Sequence, residues 1–221
     1  MTDMRAWLLG LLLTLGACGG HPPPPKQGVI QADVGAWKYR RFQPVLDIEV
    51  WVDGNKAEGY TASYIDGAAE KRAHCCDDKD VVNVFVTRYE KDDGVTRATV
   101  KYVRRLAAEG GYQVEEDKIK GTRALRLSGH GETWVMWPAK KHVVKVGGRG
   151  RESVPDGLVA SYADRYPSVL PGGSLEGPLP PGPDDKPVDK EEYDPNAPRP
   201  DLEKYDPKKS KLPDKKQQKD E

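Results

Sequence analysis

The residues best equipped for chemistry crowd into one stretch: Ala73, His74, Cys75, Cys76, Asp77 and Asp78, with Asp80 just after it. Soft thiolates beside an imidazole suit Cu(I) or Zn(II), and nearby carboxylates can complete a ligand shell. The spacing works against that use. Adjacent side chains of an extended chain point opposite ways, so Cys75 and Cys76 can hold one metal only from an irregular loop, and the usual two-residue gap between metal-binding cysteines is absent. A disulfide between the neighbours is a second reading, although consecutive Cα atoms lie about 3.8 Å apart across a trans peptide, short of the usual minimum of about 4.4 Å. Two thiols left idle, or a disulfide linking two molecules, would also account for the pair. A local disulfide or idle thiols are favoured over His74, Cys75 and Cys76 as ligands to Cu or Zn.

The third cysteine, Cys18, closes a different pattern. Arg5 precedes an apolar run from Ala6 to Leu15, and small residues lead up to Cys18. This is the tripartite layout of a secretory signal peptide. The run holds about a dozen residues, short of the roughly 20 that a bilayer-spanning helix needs. Leu15, Gly16, Ala17 and Cys18 resemble the lipobox of bacterial lipoproteins. The resemblance implies cleavage before Cys18, a diacylglyceryl thioether on its sulfur and acylation of the new amine, which together anchor far more firmly than one chain. Gly19 stands where an aspartate would, by analogy with the family, favour retention in the inner membrane. The resemblance thus implies an outer-membrane address, facing the periplasm or the cell surface. It also leaves Cys75 and Cys76 as the only thiols of the mature chain, and no cofactor beyond the covalent lipid is expected.

The elements that position these residues follow in order. Residues 18–27 form a tether, and four prolines from Pro22 to Pro25 make it a stiff spacer. Residues 28–170 carry the pattern of a globular domain. Leu46, Ile48, Val50 and Val52 alternate with Asp47, Glu49, Trp51 and Asp53, the period-two signal of a strand with one buried face. A turn at Asp53, Gly54 and Asn55 and a returning strand through Tyr60, Ala62 and Tyr64 make a hairpin. Further strands are expected at Val81–Tyr89, Tyr112–Glu115, Thr122–Leu127, Thr133–Trp137 and His142–Val146. The spacing of Val95, Thr99, Tyr102, Val103 and Leu106 predicts a helix from Gly94 to Glu109, stopped by Gly110 and Gly111. A second helix starts near Pro155 and ends before Pro167. The predicted fold is α+β, a mainly antiparallel sheet with two principal helices packed on it. The element order resembles that of the PsbP-like α/β sandwich, a likeness that carries no function with it.

Other features bear on partners. Arg97, Lys101, Arg104 and Arg105 share one side of the first helix, a stripe able to meet an anionic surface but read first as a solvated helix face. Trp51, Trp134 and Trp137 are read as packing residues in preference to an aromatic ligand surface. Residues 171–221 are dense in Pro, Asp, Glu and Lys and are expected to be disordered. Within that tail, Tyr193 and Tyr205 sit in matching Tyr-Asp-Pro contexts, as docking points for a partner or as a drifted duplication. The 221 residues balance 35 Lys and Arg against 35 Asp and Glu, so no global charge draws the chain to nucleic acid. No histidine or serine has a catalytic spacing, and no glycine loop fits a phosphate. The expected function is that of a non-enzymatic envelope lipoprotein, anchored through membrane lipid, that binds or supports another envelope component, protein or polysaccharide. A metal-handling or thiol-redox role for the His74-Cys75-Cys76 loop is the alternative.

Overall fold

The chain's apolar residues sort onto two faces of one sheet, and each face is covered by one helix. The computed structural model describes residues 21–25, 27–45 and 47–182. The expected signal peptide with Cys18, and the chain from 183 onward with Tyr193 and Tyr205, lie outside the described residues, as does Leu46.

Seven strands form the sheet: β1 (Trp37–Val45), β2 (Ala57–Asp66), β3 (Val81–Tyr89), β4 (Gln113–Ile119), β5 (Thr122–Gly129), β6 (Glu132–Ala139) and β7 (His142–Arg149). Their order is β1-β2-β3-β7-β6-β5-β4, with every neighbouring pair antiparallel. Two meanders are thus spliced where β7 returns to pair with β3. Lys120–Gly121 and His130–Gly131 make the tight turns of the second meander with positive φ at both residues, the twist that suits two-residue hairpins. Helix α1 (Val95–Glu109) links the meanders, and α2 (Asp156–Ala163) follows β7. The predicted α+β class and both helices match this arrangement.

Strand parity explains the layering. On β6, Trp134 and Met136 join Leu125, Leu127 and Val143 under α1, while Val135 and Trp137 join Val84, Val144 and Val146 under Leu158, Val159 and Tyr162 of α2. Because β6 and β7 are buried on both faces, they read as near-continuous apolar runs, whereas β3 buries every second residue. Trp134 and Trp137 are three residues apart and therefore face opposite ways. With Trp51 74% exposed on a loop, the three tryptophans share no surface.

Two expectations are corrected. The first strand is Trp37–Val45, and residues 47–56 are a loop. β1 is an edge strand with mostly exposed side chains, so its composition is polar and its period is hidden. Val50 and Val52 are buried against Tyr89 and the α1 side of the sheet, which reproduces strand-like alternation without a ladder. Second, the ordered domain continues past residue 170. Residues 171–182 form a strap along α1, with Ser174 buried and Leu175 and Leu179 packed against the α1-side core. The Arg104 guanidinium donates to the carbonyl oxygens of Ser174, at 3.0 Å from Nε, and Gly177, and Arg97 Nη1 donates to that of Pro180 at 3.1 Å. Glu116 accepts from the amides of Gly173 and Leu175, both at 3.0 Å. Two arginines and one carboxylate satisfy the polar backbone of a segment whose composition alone reads as unstructured.

Candidate functional site

Side chains of chemical interest collect at three places: the two ends of the sheet and the α1-side surface between them. Each is set by strand register.

The end where β3 finishes and β7 begins receives the proline tether. His21 and Pro22–Pro24 form one wall of a cleft of about 710 Å³, whose other walls include Glu90–Asp93, Lys140–His142 and Arg165–Pro167. Arg165 Nη1 donates to the Pro23 carbonyl at 3.4 Å. The tether then enters the core. Gly28 and Val29 are buried, and the Tyr166 hydroxyl donates to the Gly28 carbonyl at 2.6 Å. Ile30 is held at both of its backbone groups. Its N–H donates to the Tyr162 hydroxyl at 2.9 Å, and its carbonyl accepts from Tyr64. The two hydroxyl oxygens are 2.7 Å apart. Since the Tyr64 proton is committed to Ile30, Tyr162 donates to Tyr64, and a closed ring of hydrogen bonds results. Burial pushes Tyr64 up to about 12 and Tyr162 further still, so both hydroxyls stay protonated across the physiological range. Tyr162→Phe should cost about 1 to 2 kcal/mol, because the half-buried Ile30 amide loses its partner. Urea denaturation reads the loss, and hydrogen exchange should show faster exchange of the Ile30 amide; unchanged exchange would refute the clamp.

His142, at the floor of this cleft, is 9% exposed, with its ring centroid 4.9 Å from that of Tyr166. Burial, reinforced by the positive charges of Lys141 and Arg88, lowers its pKa to about 4 even though a hydrogen bond with Ala139 opposes the shift. It is a neutral imidazole at neutral pH.

The opposite end carries the loop between β2 and β3. β3 spans nine residues, so this loop stands about 26 Å along the strand from the tether end. Its base is closed by the Arg72–Asp80 ion pair and by the Asp77 amide, which donates to Asp80 Oδ2 at 2.9 Å. Burial acts to raise the Asp80 pKa, but the Asp77 amide and the Arg72 guanidinium outweigh it and hold the carboxyl below its ordinary range. Arg151 donates to the Lys79 carbonyl and ties the loop to the chain after β7. Ala73, His74 and Cys75 at the tip are exposed and Cys76 is half-buried, so neither cysteine serves as a buried small residue. Cys75 and Cys76 are joined to each other in a disulfide across a cis peptide bond. Joined sulfurs are not thiolate ligands. Among the described residues, no group of three or more His, Cys, Asp or Glu side chains is placed to hold a metal.

Between the ends, Lys145 lies with its ammonium 4.3 Å from the Trp134 ring centroid and 5.8 Å from that of Phe85, and donates to both Glu49 oxygens at 2.7 and 2.9 Å. The Tyr102 hydroxyl donates to Glu49 at 3.1 Å. Trp134 can lie flat here because its pair partner on β7 is Gly147, where a Cβ would stand 2.8 Å from Trp134 Cα and Cε3. Sequence reasoning missed this cluster; its one visible signal was a glycine inside an apolar strand. Nearby, exposed Trp51 is held by an Nε1 hydrogen bond to Asp53 at 2.9 Å.

The basic stripe is divided by the strap. Arg97 and Arg104 turn toward its carbonyl groups, whereas Lys101 and Arg105 are exposed, the latter 5.8 Å from the Tyr102 ring. The four cations therefore do not form one open surface. Among the described residues, no helix is long and apolar enough to cross a membrane.

No protein-family model matches the chain, and no curated protein matches it. Among solved structures, a GTP-binding regulator from Thermotoga maritima is similar at 11% identity with a TM-score of 0.34, over 65% of this chain and 89% of that one.

Proposed function

We propose that this chain is a lipid-anchored protein of the cell envelope, held through Cys18, whose domain acts without catalysis as a binding or structural module for another envelope component. The observation that carries this reading is the closed hydrogen-bond ring around Ile30. A chain that only needs to fold has little use for a stiff proline spacer whose root is locked into the core by three buried tyrosines. A domain that bears load or holds its orientation through its N-terminal segment has good reason for both. In this reading Trp51, exposed and hydrogen-bonded through Nε1 to Asp53, is the principal contact residue. The outer membrane is the favoured location, and no metal or organic cofactor takes part.

Two measurements test it. Labelled palmitate should be incorporated by the chain and Cys18→Ala should eliminate the label; label retained in the variant, or absent from the parent, defeats the anchor. Crosslinking in native envelopes should capture a protein or polysaccharide partner, with yield reduced about tenfold by Trp51→Ala. Equal capture by the variant removes Trp51 from the contact. Deletion from residue 183 spares the strap and isolates the contribution of Tyr193 and Tyr205.

A further inference from the structure

We infer that the Cys75–Cys76 disulfide is a reversible thiol–disulfide exchange site, addressed by small thiols or dithiol proteins; the inference is independent of lipid anchoring. Three observations carry it. First, the bond joins consecutive residues, so it closes no loop beyond the one the peptide bond already fixes and removes almost no chain entropy from the unfolded state. A stabilising role is therefore not what keeps the two sulfurs together. Second, Cys75 is exposed and Cys76 half-buried at the tip of a projecting loop, so the sulfurs are open to attack without unfolding. Third, the base of the loop is closed by contacts that do not involve sulfur: the Arg72–Asp80 pair, the Asp77–Asp80 hydrogen bond and the Arg151–Lys79 contact. Opening the disulfide leaves those contacts in place and changes only residues at the tip.

The exchange proceeds in two steps. A thiolate of the reductant attacks Sγ of Cys75, the more exposed residue. The Cys75–Cys76 bond breaks as a mixed disulfide forms, and its electron pair leaves on Cys76 Sγ, which takes a proton from solvent. A second thiolate of the reductant attacks the reductant sulfur of the mixed disulfide, and Cys75 departs and is protonated. The loop gains two electrons and two protons, and the reductant is oxidised to its own disulfide.

The test uses the full chain carrying Cys18→Ala, purified in air, so that only Cys75 and Cys76 can supply thiols. Maleimide labelling should find essentially no thiol before reduction and two per chain after treatment with glutathione in native buffer, with circular dichroism unchanged. Two labelled thiols before any reductant, or release only after denaturation, would overturn the proposal. In parallel, oxidised glutathione should form a mixed disulfide with Cys76→Ser several-fold faster than with Cys75→Ser. The reverse order would overturn Cys75 as the point of attack, and failure of both variants to react would overturn the site. Because none of these readouts involves palmitate or an envelope partner, their failure is distinct from failure of the anchored-module reading.

Discussion

Gly147→Ala is expected to destabilise the domain by at least about 3 kcal/mol, with a drop in Tm of roughly 6 to 12 °C. Gly147 lies on β7 between Trp134 of β6 and Asn83 of β3, at the splice between the two meanders. An added Cβ would collide with the Thr133 carbonyl oxygen and stand 2.8 Å from Trp134 Cα and Cε3. Two of those three atoms are backbone, so no rotamer change relieves the contact, and β6 must move away from β7 where the sheet is covered on both faces. Trp134 would lift from its place beneath Lys145, opening the cluster with Glu49 and Phe85. The same chemical change at Gly157 should have the opposite sign. That glycine is exposed in α2 with nothing within 4 Å of an ideal Cβ, so alanine gains helix propensity and is expected to stabilise by up to about 1 kcal/mol. Thermal unfolding of both variants checks the pair, and a Gly147→Ala protein as stable as the parent would show that β6 and β7 are not packed as described.

Acid should weaken the fold through His142. In the folded chain its pKa is lowered to about 4, against an ordinary value of 6.5. Above about pH 6.5 the imidazole is neutral in both states and has no effect. As the pH falls from there toward 4, the unfolded chain takes up a proton that the folded chain refuses, and stability is lost progressively, up to about 3 kcal/mol. The buried ring cannot be protonated cheaply because it is packed against Tyr166, and Lys141 and Arg88 add repulsion. His142→Gln removes the titration. Between pH 7 and pH 4 the parent should therefore lose about 3 kcal/mol more than the variant in urea unfolding. The comparison matters because depressed carboxyls such as Asp80 also release stability as the pH falls, and do so in both proteins. Equal losses would mean that His142 is hydrated or paired in the fold. Since His142 lies at the floor of the cleft beside the proline tether, its protonation would also loosen the tether's seat.

Much of this protein was legible from local pattern alone. Both helices are visible because amphipathic spacing and glycine or proline stops are properties of neighbouring residues, and α1 and α2 stand where Val95–Leu106 and Pro155–Tyr162 place them. Most of the second meander is equally plain, since the strands expected at Thr122–Leu127, Thr133–Trp137 and His142–Val146 stand where β5, β6 and β7 lie. At Cys75 and Cys76 the sequence left a local disulfide and idle thiols side by side, and it is the folded loop that joins the two sulfurs.

What the tertiary structure decided concerns contacts distant in sequence. β1 could not be recognised because an edge strand exposes most of its side chains, while the loop containing Val50 and Val52 imitates a strand by burying every second residue without a ladder. The strap looked unstructured because its backbone is satisfied by Arg97, Arg104 and Glu116, more than 50 residues away. The same strap takes up Arg97 and Arg104 of the basic stripe and leaves Lys101 and Arg105 outside. The sequence pattern places Tyr64 on a strand and Tyr162 on a helix but gives no sign that they meet at Ile30, since a hydrogen-bonded ring has no period. Local spacing specifies which residues form each element, but the partners of a buried hydroxyl, guanidinium or imidazole are chosen by register and packing, and only the folded chain brings them within reach.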